Sequence, residues 1–556
     1  SARNEVIMKK GLSKWMVKSI ALLSVSTMVL GGCAKKEGNG STITGGNKES
    51  ATLDARYELD PETPAWKLDP QEMTELTWYV NADWWNTDWG NDIITKKIEE
   101  DLHVKINFIV GDDTTLNTLF AGGDMPDLIS VFDSSSQVAL KADSWALPLY
   151  EVADKYDPYF RKVASEETLN WLQLDDGKSY GYANYSNTKA DYESGQLFAK
   201  TAFVIRKDVY EALGRPSMGT QKEFIDVLGQ IKTKFPDLYP FGFNAFTTES
   251  TGSMGDPFQD FIGVPLVDES GNYYNRNLDE DYLSWVKTFN EAYRMGYISD
   301  DSFADDGTAF EEKLKSGKYA TIMMDGTPQC SGFLTTWMNS NPDAAYMAID
   351  GPQSTVGNQP TLNQAGISGW TVSYITKQCK DPSKAIQLFT YLLSEEGQIL
   401  TQYGIEGVSY TINKDGKYEL TKEAKDMQQN DNDRFKKEYR LGEFFFFGHD
   451  KYKALSDDAY PESIKQLQEW GTGKLVPHFL LENTNPGAGT EEARINSAVT
   501  TEWATTLVSL IRSNSESDFT SVLNNYKKFL DDNGWESVIK VKNQKIEKNR
   551  EKLGNE

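Results

Sequence analysis

The stretch Asn81-Ala82-Asp83-Trp84-Trp85-Asn86-Thr87-Asp88-Trp89-Gly90 sets three indole rings among short polar side chains. So polar a segment gives three tryptophans little to bury against locally, so at least one of them is expected on a binding surface. The chemistry on offer is stacking. The flat C–H face of a sugar ring lies against an aromatic face, and nearby Asp, Asn, Gln and Glu answer the hydroxyls. The competing reading is that these rings pin the loop to the body beneath. Bond-breaking chemistry is poorly represented. His103, His449 and His478 stand alone, so no His-rich metal motif is present, and there is no Walker A loop. There is no Gly-x-Ser-x-Gly elbow either. The paired carboxylates of a glycosidase are recognised by their separation in space, and among 83 acids chance pairs are inevitable. A binder is therefore expected rather than an enzyme, with no cofactor and no metal.

Composition agrees with that class. The chain has 556 residues, enough for two to four domains at roughly 150 residues each. Its formal charge is −26, which argues against nucleic acid, whose phosphates need clustered Lys and Arg. The 14 Trp, 27 Tyr and 26 Phe suit carbohydrate binding, although most of these rings are expected in the core. Of three cysteines, Cys330 and Cys379 are too few for a disulfide framework or a Cys-based zinc site. They remain open to pairing with each other or to burial as two separate thiols.

The third cysteine closes a different kind of segment. Lys9, Lys10, Lys14 and Lys18 form a positive head, Ile20 to Leu30 is an apolar run, and Gly31-Gly32-Cys33 follows. That is the pattern of a secretory signal, and the run falls short of the ~20 apolar residues a spanning helix needs. Leu30-Gly31-Gly32-Cys33 resembles a bacterial lipobox. The resemblance implies cleavage before Cys33 and lipidation of its thiol, holding the chain on the outer face of the cytoplasmic membrane, as in a Gram-positive bacterium. Residues 1–33 are thus signal and lipobox. Residues 34–71, polar and Gly-rich at first and Pro-punctuated later, are expected to be a flexible tether.

From Glu75 onward, strand patterns alternate with helix patterns: Glu75 to Val80, then a helix over Ile93 to Leu102, a strand over Val104 to Val110 and another over Asp127 to Val131. Such alternation predicts an α/β fold on mainly parallel sheets, with ligands bound beyond the carboxyl ends of the strands. The Trp84 loop lies at such an end. Trp285, Trp503 and Trp535 sit in helical patterns and are expected in the core, as is Phe444 to Phe447; the chain beyond Lys384 reads mostly helical.

Five further stretches carry a resemblance: GGDMPDLI (122–129), KSYGYANY (178–185), FVIRKDVYEALG (203–214), FEEKLKSGKYATIMMDGTP (310–328) and GWTVSYITKQCKDPSKAIQLFTYLLSEEGQ (369–398). Together, in this order behind a lipobox, they resemble the family 1 extracellular solute-binding proteins of ABC importers, related to maltose-binding proteins and similar to the large LplA-like lipoproteins. The resemblance implies a two-lobed, type II periplasmic-binding-protein-like fold with a helical C-terminal part. One lobe is expected to be 72–200 with 326–366 and the other 201–325 with 367–556. Crossings are expected near 198–202, 324–326 and 367–370. It further implies a monomeric receptor that closes over a solute, an oligosaccharide by this reading with a peptide as the alternative, and passes it to an ABC permease. A secreted glycoside hydrolase is the weaker alternative. On the same grounds Asp133 is expected to bind hydroxyls, with helix capping as the alternative. Asn184 and Tyr185 are expected near the first crossing, Asp325 and Gln329 flank the second, and Trp370 stands at the third as a stacking residue. Trp84, Trp85 and Trp89 complete the expected ligand set, and Glu406 and Tyr410 are expected on a loop that closes over it. The calcium loop of some relatives is missing at Pro236 to Gly242, so no calcium is expected there.

Overall fold

The structure is a computed structural model that describes residues 56–456 and 462–554, without the side chains of 327–332 and 462–463. Cys33 and the lipobox lie outside the described residues. Nine strands carry the two main sheets: β1 (Thr74–Val80), β2 (Val104–Val110), β3 (Leu128–Phe132), β4 (Gly181–Ala183), β5 (Thr201–Arg206), β6 (Tyr239–Phe243), β7 (Tyr319–Asp325), β8 (Tyr346–Ile349) and β9 (Thr371–Ile375). The first sheet runs β2-β1-β3-β9-β4 and the second β6-β7-β5-β8. Each is covered on both faces by apolar side chains and helices, forming two α/β lobes.

Helix and strand boundaries follow local chemistry. Asp92 accepts from the amides of Ile94 and Thr95 and starts the helix Ile93–Leu102, which His103 ends in the left-handed region. Thr220 and Glu223 form a reciprocal capping box on the helix Gln221–Lys234. In β1, Leu76, Trp78 and Val80 face one core while Tyr79 faces the other, the two-residue period of a strand buried on both sides. Trp78 Nε1 donates to Ser130 Oγ at 2.9 Å, and Ser130 Oγ bonds Ser373 Oγ at 2.6 Å. That buried polar chain locks β1, β3 and β9 into one register.

Both sheets are mainly parallel, as expected, but each contains one strand that runs against the rest, β9 in the first and β5 in the second. β1 pairs parallel with β2 and β3, but β9 is antiparallel to β3 and β4; β6 pairs parallel with β7, but β5 is antiparallel to β7 and β8. The physical reason is the route of the chain. β5 and β9 are each the first strand after the chain passes from one lobe to the other. Each enters at the carboxyl edge of the sheet it joins: Thr201 pairs with Asp325 and Thr371 with Phe132. The carboxyl edges of both sheets therefore lie at the crossings.

Sheet membership also exchanges the returning segments relative to the expected lobes. The helix Thr327–Ser340 and β8 stay with the second sheet, their Leu334, Met338 and Ala348 sharing a core with Val204. β9 and the helix Pro382–Leu393 belong to the first. Residues 324–326 are thus the end of a strand running into its own helix, not a crossing. Passages lie between β4 and β5 and between β8 and β9. These two segments and the stretch after the helix Glu462–Gly471 are tied side by side: Lys200 N donates to Asn363 O, Leu362 N to Lys474 O, and Val476 N to Leu362 O.

From residue 56 onward the stretch expected as tether is packed on the first lobe. Arg56 bonds both Asp69 and Asp381, Tyr57 Oη donates to the Tyr156 carbonyl, and Trp66 packs edge-on against Tyr391 at 5.3 Å. An aromatic pair and a buried charge network bring this lead-in onto the helix Pro382–Leu393.

The helices Glu491–Ile511 and Glu516–Asp532 pack on the second lobe, with Trp285, Trp503 and Trp535 buried there as expected. The last helix, Trp535–Lys552, starts in that core and ends against Trp171 of the first lobe, whose carbonyl accepts from Lys552 Nζ. Cys379 is a buried free thiol.

Candidate functional site

The carboxyl edge of the first sheet carries an aromatic surface assembled from four chain segments. Trp370 lies 4.7 Å from Phe445 and 5.0 Å from Phe132; Trp84 lies 6.1 Å from Phe445 and 6.3 Å from Phe132. These separations are those of mutually supporting ring pairs. Phe445 is buried and forms the floor, whereas Trp84 is 37% exposed and Trp370 is partly exposed. Asp133, exposed, follows Phe132 directly at the edge of the surface.

The sequence holds each ring by a different device. The Trp84 loop is stapled by Arg440, a cation only 1% exposed, whose guanidinium donates to the carbonyls of Asp88 (2.6 Å) and Asn86. Trp370 is set by its neighbours. Gly369 adopts φ +72°, and a Cβ there would stand 2.4 Å from the Asn184 carbonyl oxygen, so only glycine fits. Asn184, fully buried, accepts from the amides of Trp370 (3.2 Å) and Thr371 (2.7 Å) through Oδ1 and donates through Nδ2 to the Phe445 carbonyl (2.6 Å). One amide thus joins the floor of the surface to one of its walls.

Two non-glycine residues at this edge have left-handed backbones, Asp133 (φ 75°) and Tyr185 (φ 46°). For a bulky aromatic this is a true outlier, and such conformations cluster at functional sites. Asp133 Oδ1 accepts from the amide (2.8 Å) and hydroxyl (2.5 Å) of Ser135, fixing a turn; the helix cap that follows is Ser136. The Tyr185 ring fills the space where a Cβ on Gly448 would be, with Lys453 Nζ 4.5 Å over its face, and burial pushes its phenol above the ordinary value.

The structure therefore divides the expected residues. It gathers Trp84, Trp370 and Asp133 around one surface. Trp85 is buried among Phe108, Phe444, Phe445 and Phe446, and Trp89 donates its indole N–H to Glu99 at 2.7 Å. Both pin the loop. Asn184 and Tyr185 lie beneath the surface as supports. Asp325 stands on the carboxyl edge of the second sheet, its backbone paired with the Asn244 amide (both 3.0 Å) and its carboxylate accepting from Thr201. The Gln329 side chain lies outside the described residues. Tyr410 is buried against Tyr403 and Tyr418. Sequence reasoning missed Phe132 and Phe445 as members of the surface. Phe132 was findable as the last strand residue before Asp133; Phe445 had no signal beyond its run of phenylalanines.

The passage into β9 has its own anchor. Glu482 accepts from the amides of Ile367 (3.2 Å) and Ser368 (3.1 Å), and burial raises its carboxyl above the usual range. Among the described residues no group of three or more His, Cys, Asp or Glu is placed to hold a metal ion.

Comparison with known proteins agrees with this architecture. A multiple sugar-binding protein of Streptococcus mutans is 23% identical over 328 residues, covering 56% of this chain and 71% of that protein. Among solved structures, an HMO-binding, ABC-transporter-associated solute-binding protein of Bifidobacterium longum infantis superposes with TM-score 0.62 at 15% identity, covering 86% of this chain and 99% of that one. The substrate-binding protein FusA of Streptococcus pneumoniae, in complex with kestose, gives 0.59 at 16% identity, covering 87% and 100%. At such identities these structures share the fold. Residues 79–399, more than half of the chain, match the family described as bacterial extracellular solute-binding protein, and this protein belongs to that family of binders.

Proposed function

We propose that this protein captures an oligosaccharide between its lobes and delivers it to an ABC permease, held at the outer face of the cytoplasmic membrane by lipid on Cys33. The observation that carries the reading is the aromatic surface of Trp84 and Trp370 over Phe445, beside Asp133, at the edge where the chain crosses between lobes. Sugar rings would stack on the two indoles and offer hydroxyls to Asp133. A solute that drives closure must bind the closed form better than the open one, and residues near Asp325 and Asn244 supply the facing edge. Each stacking contact is worth roughly 0.5–1.5 kcal/mol beyond area burial. Several with hydrogen bonds reach about −8 kcal/mol, a micromolar affinity. The sugar-binding names of the relatives support the ligand class.

The test is calorimetry against an oligosaccharide panel. Trp370→Ala should weaken the best ligand by about tenfold, equal to 1.4 kcal/mol, with an unchanged melting temperature. Ligand should also reduce the radius of gyration in solution scattering. Unchanged affinity in the variant would remove the aromatic surface from the site.

A further inference from the structure

A cavity of about 390 Å³ opens between the first lobe and the last helix, Trp535–Lys552, a volume at the lower end of small-molecule sites. It adjoins the aromatic surface. Its first-lobe wall includes Ser134, the residue after Asp133, and Asn483. Asn483 Nδ2 donates to Ser134 Oγ at 3.3 Å and to Ser368 Oγ at 3.0 Å, two residues before Trp370.

The helix wall presents Lys545, Lys548 and Lys552. Spaced by three and four, they share one helical face. Four helix lysines elsewhere pair with an acid four residues on: Lys97 with Asp101, Lys222 with Asp226, Lys422 with Asp426, Lys528 with Asp532. Here the residue four after Lys545 is Asn549, and the residue four after Lys548 is Lys552, a like charge. The Lys552 ammonium is taken by the Trp171 carbonyl at 3.0 Å. Lys545 and Lys548 have neither hydrogen bond nor ion pair among the described residues. Burial, and then the Lys548 charge, push Lys545 and Lys552 below the ordinary lysine value. The lining acids Asp143, Asp175 and Asp176 are exposed, and Asp176 is occupied by the Tyr180 hydroxyl at 2.5 Å.

We propose that this chamber seats an anionic group, a carboxylate or a sulfate ester, on a sugar ring of the ligand whose neighbouring rings lie on Trp84 and Trp370. The assignment rests on the carbohydrate reading above and names the class of carbohydrate. The two unpaired ammonium groups give charge-assisted hydrogen bonds, and Ser134 and Asn483 answer the ring hydroxyls.

Residue-resolved acetylation of the intact chain, followed by mass spectrometry, tests this with glucuronate, glucose 6-sulfate, glucose or acetate at matched ionic strength. Glucuronate or glucose 6-sulfate should slow modification of Lys545 and Lys548 by about tenfold relative to glucose and acetate, leaving Lys222 and Lys528 unchanged; the stronger of the two identifies the anion. In a K545Q/K548Q variant with unchanged melting temperature, calorimetric affinity for the protecting sugar should fall by about the same factor. Equal modification in all arms overturns the proposal, and so does protection by acetate as strong as by glucuronate. The two readings fail separately. Trp370-dependent binding of neutral oligosaccharides without lysine protection removes the chamber and keeps the aromatic surface. Lysine protection with neutral binding indifferent to Trp370→Ala removes the aromatic surface and keeps a seat for an anionic sugar.

Discussion

Gly369 is the residue on which the position of Trp370 turns. Its φ of +72° and the 2.4 Å that a Cβ would leave to the Asn184 oxygen mean that Gly369→Ala must shift either the Trp370 segment or the Asn184 amide. Strain at such a position costs about 1–3 kcal/mol. Gly369→Ala is therefore expected to lower the denaturation midpoint and, because Trp370 moves with the strain, to weaken oligosaccharide binding as well. A parallel titration and denaturant melt check both. At this scale the sequence was half legible. Three tryptophans in a polar loop pointed to an aromatic surface, but nothing in their spacing told Trp84 from Trp85 and Trp89. That distinction is made by Arg440 and Phe444 to Phe446, more than 350 positions away in the chain, which bury Trp85, partly cover Trp89 and leave Trp84 at the surface.

The elements at the crossings carry their own titration. His478 is neutral between two partners: Nε2 bonds the Thr361 carbonyl at 2.8 Å, leaving Nδ1 to accept from the Asn363 amide at 3.2 Å. A proton added at Nδ1 would oppose that amide N–H. Burial, with smaller contributions from Arg276 and Lys200, depresses the imidazole to about 4. The unfolded chain, with histidine near 6.5, binds this proton first, so the contribution to stability is complete above about pH 6.5 and declines as pH falls toward 4. The loss amounts to at most about 3 kcal/mol. His478→Gln should therefore flatten the acid limb of melting temperature against pH between those values. An identical slope in both proteins would show that His478 charges freely. Most strands and helices were readable from period and capping, since Asp92, Thr220 and alternation in β1 act locally. The direction of β5 and β9 was not, because it depends on which lobe the chain arrives from, and no local pattern encodes that.

For the molecule as a whole, the family and the two-lobed plan were legible in motif order, while the ownership of segments was not. Motif order says which stretch follows which; it does not say that Thr327–Ser340 remains with the second sheet and Pro382–Leu393 returns to the first. Nor did the polar lead-in betray that Tyr57 and Trp66 hold residues from 56 onward to the first lobe. Among the described residues the aromatic side chains are mostly buried or half-buried, and Trp84 is the one tryptophan among the large hydrophobic side chains exposed there. Its indole should dominate the long-wavelength edge of the intrinsic fluorescence. A guest that covers it must shift the emission to the blue, and Trp84→Phe should reduce that shift to the part contributed by the partly exposed Trp370 while sparing the spectrum of the interior rings. The protein thus holds a built-in optical reporter of its own occupancy, readable without any label.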